Sequence, residues 1–497
     1  MLLYIIIGLF ILLIYFACLK TFIKLIKLKL TLGNKAIIKF YPLTGDFAQI
    51  PQSNQLYGDG LKHFQKRVFD KPNVKFVLSN LMHEPLIEIY DPEYYKEVFI
   101  NHQLYQRADV LYHEKLTSRG ILYSEGQKHK QQRSILGVHF TYDKLKERIP
   151  IVNQVVLQKI KNQDITQLHQ FLIDLNTEIV MKSFFGEKAL EFKLNGQSVP
   201  AEILGLDDEM GELNLFNPYV VLKRLIFGRK GDQIFPSKSQ KHLNQRVDKV
   251  IDFITSLINE KISNKNNKGN DFLDIYVDAY LNQNKQDSKI EILEICSMFI
   301  SMFAAGSGTS VDFLKMILYF LGQEQEAQKE IRDQILQVLN GQTEVLDIHL
   351  QKLTILTAFI QEMFRFKAPF FAPFIRKAKQ THYIKDLKIE KGTNVLILFA
   401  APGWSNKHYD NPNQFDYKRW LNPNPIKEDN GFVYIPFSAG GRNCIGQHMA
   451  QLNIKIILSH ILMNYKITLD PNQQIRFPIS FKIDIEPISI IQFERIK

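Results

Sequence analysis

Phe437-Ser438-Ala439-Gly440-Gly441-Arg442-Asn443-Cys444-Ile445-Gly446 sets one cysteine among an aromatic ring, an arginine and three glycines. Glycine removes the Cβ where backbone must turn sharply or lie flat against another group. Arg442 offers a planar fork that can grip a carboxylate bidentately. The apolar periodicity beginning at Gln447-His448-Met449-Ala450-Gln451-Leu452 predicts a helix immediately afterwards. The Cys444 sulfur would then sit near a helix N-terminus, where backbone N–H groups favour a thiolate, and Phe437 would shield it from water. This order of residues suits a thiolate held against a flat, anionic iron macrocycle. The plain alternative is a buried cysteine in a glycine-rich turn.

The pattern F-x-x-G-x-R-x-C-x-G, followed by Ala450, resembles the haem-binding signature of the cytochrome P450 monooxygenases. The resemblance implies a mainly α fold with minor β-sheets, and haem b (iron protoporphyrin IX) as cofactor. It makes Cys444 the axial thiolate ligand of the haem iron, with Phe437, Arg442 and Gly446 in the loop that holds the ring. A cysteinate donates electron density to iron and so favours O–O cleavage over reversible oxygen carriage.

Glu362-Met363-Phe364-Arg365 has its charges three apart, on one face of a predicted helix. Ile360, Met363, Phe364 and Phe366 make that helix apolar, so its charges must be buried with partners. It resembles the family's E-x-x-R motif. Phe415-Asp416-Tyr417-Lys418-Arg419-Trp420 resembles the segment supplying the third member, with Tyr417 in place of the usual proline. The resemblance implies a structural triad of Glu362, Arg365 and Arg419 behind the haem loop.

Ala305-Gly306-Ser307-Gly308-Thr309-Ser310 lies in a long apolar stretch, Ile290 to Leu321. Glycine inside a helix costs roughly 1 kcal/mol relative to alanine, so two of them ask for a reason. Close helix packing is one; room for dioxygen over the ring, at Ala305, is another. By resemblance Thr309 is the catalytic threonine that hydrogen-bonds dioxygen and helps deliver protons. Gly308 stands where the family carries an acid. Asp312, one turn on, or Ser307 and Ser310 would then have to serve through water.

Gly126 to Arg133 resembles the family's W-x-x-x-R helix, with His129 replacing the tryptophan. That makes His129 and Arg133 propionate partners, and Arg376 another. His448, four residues after Cys444, has no further metal ligands nearby in sequence and reads as a surface histidine. By resemblance the substrate space is lined by Leu104–Tyr123, Leu204–Phe235, Met302, Ala305, Pro369–Phe374 (with Phe370, Phe371 and Phe374 as an aromatic wall) and the Ile479 turn; ordinary core packing is the alternative for any single Phe.

The 497-residue chain is long enough to bury a cofactor, and 45% hydrophobic with 23% charged residues is globular composition. Its 36 Phe suffice to line an apolar pocket. A net charge of +11 is compatible with an anionic membrane or an acidic partner, and no nucleic-acid module accompanies it. Three cysteines, Cys18, Cys296 and Cys444, are too few for a disulfide framework. Leu2 to Leu19 carry no charge, and such a run spans roughly 27 Å as a helix. Lys20, Lys24, Lys27 and Lys29 follow, which predicts a signal anchor with the rest of the chain cytosolic; a cleaved signal peptide is the rival reading. The expected organisation is a transmembrane anchor over 1–19, a basic linker and hinge over 20–45 with a turn at Tyr41–Gly45, and one haem-binding catalytic domain over 46–497. Pro85–Tyr90 reads as a strand, Asp91-Pro92-Glu93 as a capped helix start, and residues 143–321 as mainly helical with polar loops at 264–270 and 282–288. Leu387–Ile389, Asn394–Phe399 and Ile475–Ile490 read as β-like.

The function these features imply is a monooxygenase of the endoplasmic reticulum membrane, acting on a lipophilic small molecule. By resemblance it uses O2 and electrons from an NADPH-cytochrome P450 reductase, with cytochrome b5 as a second candidate donor. A haem-thiolate isomerase or dehydratase acting on a peroxide, motivated by Gly308, and a non-catalytic haem-binding protein are the alternatives.

Overall fold

In the computed structural model, α1 (Lys20–Leu32) and β1 (Ala36–Ile38) lead into α2 (Lys62–Val68) and the antiparallel pair β2 (Phe76–Leu81) and β3 (Glu84–Ile89). The described residues are 4, 7–8, 14–42, 44–68, 71, 73–108, 113–186, 190, 193–194, 196–216, 219, 223, 226–227, 230–263, 271–283, 290–372, 374–479 and 483–496. Most of the expected anchor and of the two polar loops, with parts of the expected substrate walls, lies outside them. The helices after β4 (Tyr105–Arg107) include α3 (Gly126–Gly137), α4 (Ile149–Asn162), α5 (Leu168–Phe184), α6 (Lys238–Ser263) and α7 (Ile292–Gln323). Then follow α8 (Thr354–Lys367), β5 (Arg376–Ala378), β6 (Asn394–Ile397), α9 (Gln447–Asn464) and a terminal ladder of β7 (Tyr465–Leu469) with β8 (Ile491–Arg495).

The main sheet has the order β1-β2-β3-β6-β5-β4. Period-2 alternation splits its side chains between two cores. Val77, Leu81 and Leu86 face the helical body, whereas Phe76, Leu78, Ile87 and Ile89 join Leu25 and Leu32 of α1 on the other face. The expected linker is thus folded: α1 and β1 close the outer side of the sheet. The Tyr41–Gly45 turn forms, with the Gly45 N–H donating to Tyr41 O at 3.0 Å. Gly45 has φ +78°, and a Cβ there would lie 2.5 Å from the Met82 nitrogen.

Among the described residues one helix, α7, is long and apolar enough to cross a membrane. It serves instead as the core of the body, packed against α5, α6, α8 and α9. Phe299 and Phe303 are fully buried, and Phe185 meets Phe299 with ring centroids 3.9 Å apart. Truncating such a residue to alanine costs about 3–5 kcal/mol. Asp91 caps as expected, its side chain accepting the Glu93 N–H. Among its described residues the run Ile475–Ile490 forms isolated bridges, Arg476 with Glu486, Ile479 with Ile483 and Phe477 with Asp59. Pro478 and Pro487 remove ladder donors there, and regular pairing moves outward to β7 and β8.

Candidate haem site

The Cys444 loop is built as its glycines require. Gly440 has φ +71°, and a Cβ would fall 2.5 Å from Phe99 O, so only glycine fits. The Cys444 N–H donates to Phe437 O at 2.9 Å, closing the loop, and α9 starts at Gln447 with Gly446 as its cap. Phe437 packs edge-on against Phe364 of α8, with centroids 4.9 Å apart. Cys444 is solvent-accessible, yet the surrounding protein pushes its thiol pKa up by desolvation, with the Gly446 N–H and Arg133 acting in the opposite sense. A group both open and deep borders an internal space. α7 shows the same signature: apart from its last residue its exposed position is Ala305.

Beside the loop gathers a set of cations. The β4–β5 ladder puts Arg107 directly opposite Arg376, an arrangement that like charges disfavour. Desolvation, then Arg442 and Arg376, pulls the Arg107 pKa down to about 9. Arg376 and Arg442 each fall to about 10, again chiefly by desolvation. His129 is buried and falls to about 3, through desolvation and then Arg442, Arg133 and Arg107. It is therefore neutral at pH 7. Arg442 donates to Ile121 O at 3.2 Å and Ser124 O at 2.6 Å, and Arg376 to Val98 O at 2.8 Å. Arg133 donates to Asn443 O at 2.7 Å and to its side-chain oxygen. Arg107 lies over the Phe374 ring, 4.2 Å from its centroid, and its buried Nε has no hydrogen-bond partner among the described residues. The nearby carboxylate Glu125 is engaged by Lys379 at 3.2 Å. Guanidiniums massed in this way, with an orphaned donor, fit a dianionic ligand edge such as two propionates, and the adjacent sulfur fits a soft iron ligand. The donor set therefore suits haem.

Sequence reasoning named His129, Arg133, Arg376 and Arg442 but missed Arg107. Its only local signal is a lone arginine ending a short strand; its role arises from pairing with β5.

Behind the loop, Arg365 grips Glu362 through Nε at 2.9 Å and Nη2 at 2.7 Å. Arg419 Nε approaches at 3.3 Å, the Trp420 indole N–H donates at 2.8 Å and the Asp416 N–H at 2.8 Å. Arg365 also donates to the carbonyls of Gly403, Pro412 and Gln414. The expected three residues do meet, and Trp420 joins them. Tyr417, where the family pattern has proline, donates its hydroxyl to Glu330 at 2.6 Å.

On α7 the Thr309 hydroxyl donates to Ala305 O at 2.8 Å and the Ser310 hydroxyl to Gly306 O at 3.2 Å. Asp312 is paired with Lys315 at 2.8 Å, and Lys315 also holds Asp484. Its charge is thus already compensated by a neighbour on its own helix. Asn176 of α5 donates to Gly306 O at 3.1 Å and Ser307 O at 2.8 Å. Phe371 packs into the core against Phe64, centroids 4.8 Å apart, and Phe374 supports Arg107; these two phenylalanines are not a free aromatic wall. An open cleft of about 560 Å³ near Glu202, His242 and Arg246 is charged and contains none of the site residues. Among the described residues no cluster of His, Cys, Asp and Glu could hold a metal ion, and His448 is exposed beside Tyr142.

A mainly helical body, a glycine-bent cysteine loop and a ring of uncompensated arginines define a haem-thiolate protein. The Cytochrome P450 family model matches residues 39–489, and the chain belongs to that family of monooxygenase enzymes. It is 23% identical over 427 residues to cytochrome P450 3A25 of Mus musculus, covering 82% of this chain and 80% of that one. Cytochrome P450 6a2 of Drosophila melanogaster is 23% identical over 491 residues, covering 91% and 90%. Probable cytochrome P450 508A1 of Dictyostelium discoideum is 35% identical over a shorter 199 residues, covering 40% and 39%. Among solved structures, the retinoic acid bound cyanobacterial CYP120A1 superposes with a TM-score of 0.75 at 16% identity, over 92% of this chain and 98% of that one, which establishes the fold.

Proposed function

We propose that this chain is a membrane-anchored monooxygenase of the endoplasmic reticulum that inserts one oxygen atom of O2 into a lipophilic molecule. Electrons come from an NADPH-dependent reductase, with cytochrome b5 as a second donor. The observation that carries the reading is the Cys444 sulfur bordering an internal space, beside arginines that lack carboxylate partners. Bound there, haem would supply the one-electron and dioxygen chemistry.

The chain's own contributions follow from its side chains. Cys444 would hold the iron, and Phe437, packed on Phe364, braces the loop that carries it. Arg107, Arg376 and Arg442 would neutralise the propionates, and neutral His129 would offer one ring N–H. Ala305 keeps the α7 surface open where dioxygen must fit. Thr309, whose hydroxyl donates to Ala305 O, keeps oxygen lone pairs free to accept from water; turned away from Ala305 O, the same hydroxyl would donate its proton while taking one from that water. An acidic face on the reductase would meet Lys and Arg around the Cys444 side. The retinoic acid in the cyanobacterial structure is a lipophilic ligand of that protein, and supports here the class alone.

A second reading has its own observation. Gly308 replaces an acid and Asp312 is tied to Lys315, which favours a reaction needing no external proton delivery, such as rearrangement of a hydroperoxide. The deciding experiment compares turnover with reductase and NADPH against turnover with lipid hydroperoxides alone. Product only from the first supports the monooxygenase; product only from the second reverses the assignment. Neither, with any lipophilic substrate from an unbiased lipid-metabolite comparison, leaves a haem-binding protein.

A further inference from the structure

We infer that α1 lies along the surface of an anionic membrane, with its inner face fixed to the sheet and its outer face in lipid, so that it sets the tilt of the catalytic domain. The inference rests on the membrane-anchored reading above.

α1 (Lys-Thr-Phe-Ile-Lys-Leu-Ile-Lys-Leu-Lys-Leu-Thr-Leu) is apolar on two opposite sides. At about 100° per residue, Thr21, Leu25, Leu28 and Leu32 share one stripe, and Ile23, Ile26 and Leu30 the opposite one. The inner stripe is docked. Leu25 is 0% and Leu32 5% exposed, and Leu28 packs on the same core. The Thr21 hydroxyl donates to His83 O, Lys24 pairs with Glu390 at 3.4 Å, and Lys29 donates to Gly33 O and Ala36 O at 2.6 Å. The helix therefore cannot swing as a linker. The outer stripe faces water: Ile23 is 38%, Ile26 37% and Leu30 78% exposed, with Phe22 at 36% beside it.

A helix already packed on one face has no structural need of a second apolar face. Apolar surface flanked by long basic side chains that can snorkel fits the boundary of a bilayer. Lys20 and Lys27 border the outer stripe, and α1 contains no acidic residue, which matches anionic headgroups rather than a second copy of this basic chain. The helix is also continuous with the exposed turn Tyr15–Leu19, part of the uncharged run before it. That turn is a π-helix, a place where helices bend sharply. The stripe runs the length of α1. A helix standing upright from the bilayer would carry Leu30 into water, whereas one lying flat covers every member.

The test uses the full, haem-loaded chain, one copy per nanodisc, in discs of anionic lipid brominated in the acyl chains. Ile23→Trp, Ile26→Trp and Leu30→Trp are made singly, with the unsubstituted chain giving the background of Trp404 and Trp420. The expected result is bromine quenching at all three positions, several-fold above background and weaker in neutral lipid. Quenching at Ile23→Trp with Leu30→Trp open to acrylamide would mean that α1 stands upright, and would overturn the inference. No quenching while the chain stays in the disc would also overturn it, with the anchor intact. Failure to enter discs at all would remove the anchored reading and this inference together. Protection of Leu30→Trp that grows with protein concentration in detergent would assign the face to self-association instead.

Discussion

The two sides of the Cys444 loop are built on opposite rules. Behind it, toward α8, each charge has its partners: Glu362 receives Arg365, Arg419, Trp420 and a backbone N–H, and Arg365 spends its remaining donors on carbonyls. Along α7 and its neighbour α5, buried polar atoms stand without hydrogen-bond partners among the described residues, including the hydroxyls of Thr177, Ser301 and Ser307 and the Asn176 side-chain oxygen. A buried charge without a counter-charge is costly unless hydrogen bonds or a bound ligand satisfy it, whereas an unpartnered hydroxyl costs far less. The first region is built to hold a loop still. The second can be re-satisfied by water as the reaction needs it.

The largest break in this comparison is Cys444→Ala. It should abolish the long-wavelength band of the reduced, CO-bound protein and all turnover, while the chain still folds. A retained thiolate band would exclude Cys444 as the ligand. Next comes Glu362→Ala, which strands Arg365 and Arg419 in the interior. Removing one partner of a buried ion pair costs about 3–5 kcal/mol, so urea unfolding should move by that much and little haem protein should accumulate. A change under about 1 kcal/mol would make the cluster a surface-like pair.

The held side also has a pH limit away from the haem. His460 of α9 is fully buried and donates its Nε2–H to Asn153 Oδ1 at 2.7 Å, and desolvation pulls its pKa from 6.5 to about 4. The unfolded chain therefore takes up the proton first. Its stabilising effect is complete above pH 6.5 and is lost as pH falls toward 4, by about 2–3 kcal/mol. His460→Gln, which cannot titrate, should flatten that part of the stability–pH curve. An unchanged slope would place the acid sensitivity elsewhere.

How much of this was legible in the sequence depends on how local each device is. The turn of the cysteine loop and the Glu362/Arg365 pair are short runs and so legible locally, but the surroundings of the Cys444 thiol, which push its pKa up rather than down, were not. Arg107 was invisible because its neighbour across the ladder, Arg376, lies far along the chain. Phe371 was left between two readings because an aromatic run looks alike whether it lines a space or fills a core. The docking of α1 was hidden too: Leu25 and Leu32 differ from Ile26 and Leu30 only in which side the sheet occupies.

Arg107 gives a smaller effect with two signs. In Arg107→Leu the repulsion with Arg376 disappears, so the haem-free chain should gain up to about 1 kcal/mol. The same change removes a charged donor for a propionate, so haem should leave roughly tenfold faster, a difference of about 1.4 kcal/mol. Thermal unfolding of the haem-free form and transfer of haem to a scavenger protein read the two separately. If both fall, Arg107 is a packing residue. If neither moves, the propionates lie elsewhere.

The smallest expected change is the most informative about α7. Gly308→Asp restores an acid one residue before Thr309, on a helix where Asp312 is already paired with Lys315. Replacing a helical glycine by itself adds helix propensity, up to about 1 kcal/mol, so Gly308→Ala must be measured beside it. If proton supply limits the reaction, product formed per NADPH consumed should rise a few-fold in Gly308→Asp and stay level in Gly308→Ala, with the CO spectrum unchanged in both. Thr309→Ala should lower the same ratio. A rise in both glycine variants would assign the effect to helix rigidity. No rise in either, with hydroperoxide turnover intact, would mean that this distal side works without an acid because its chemistry asks for none.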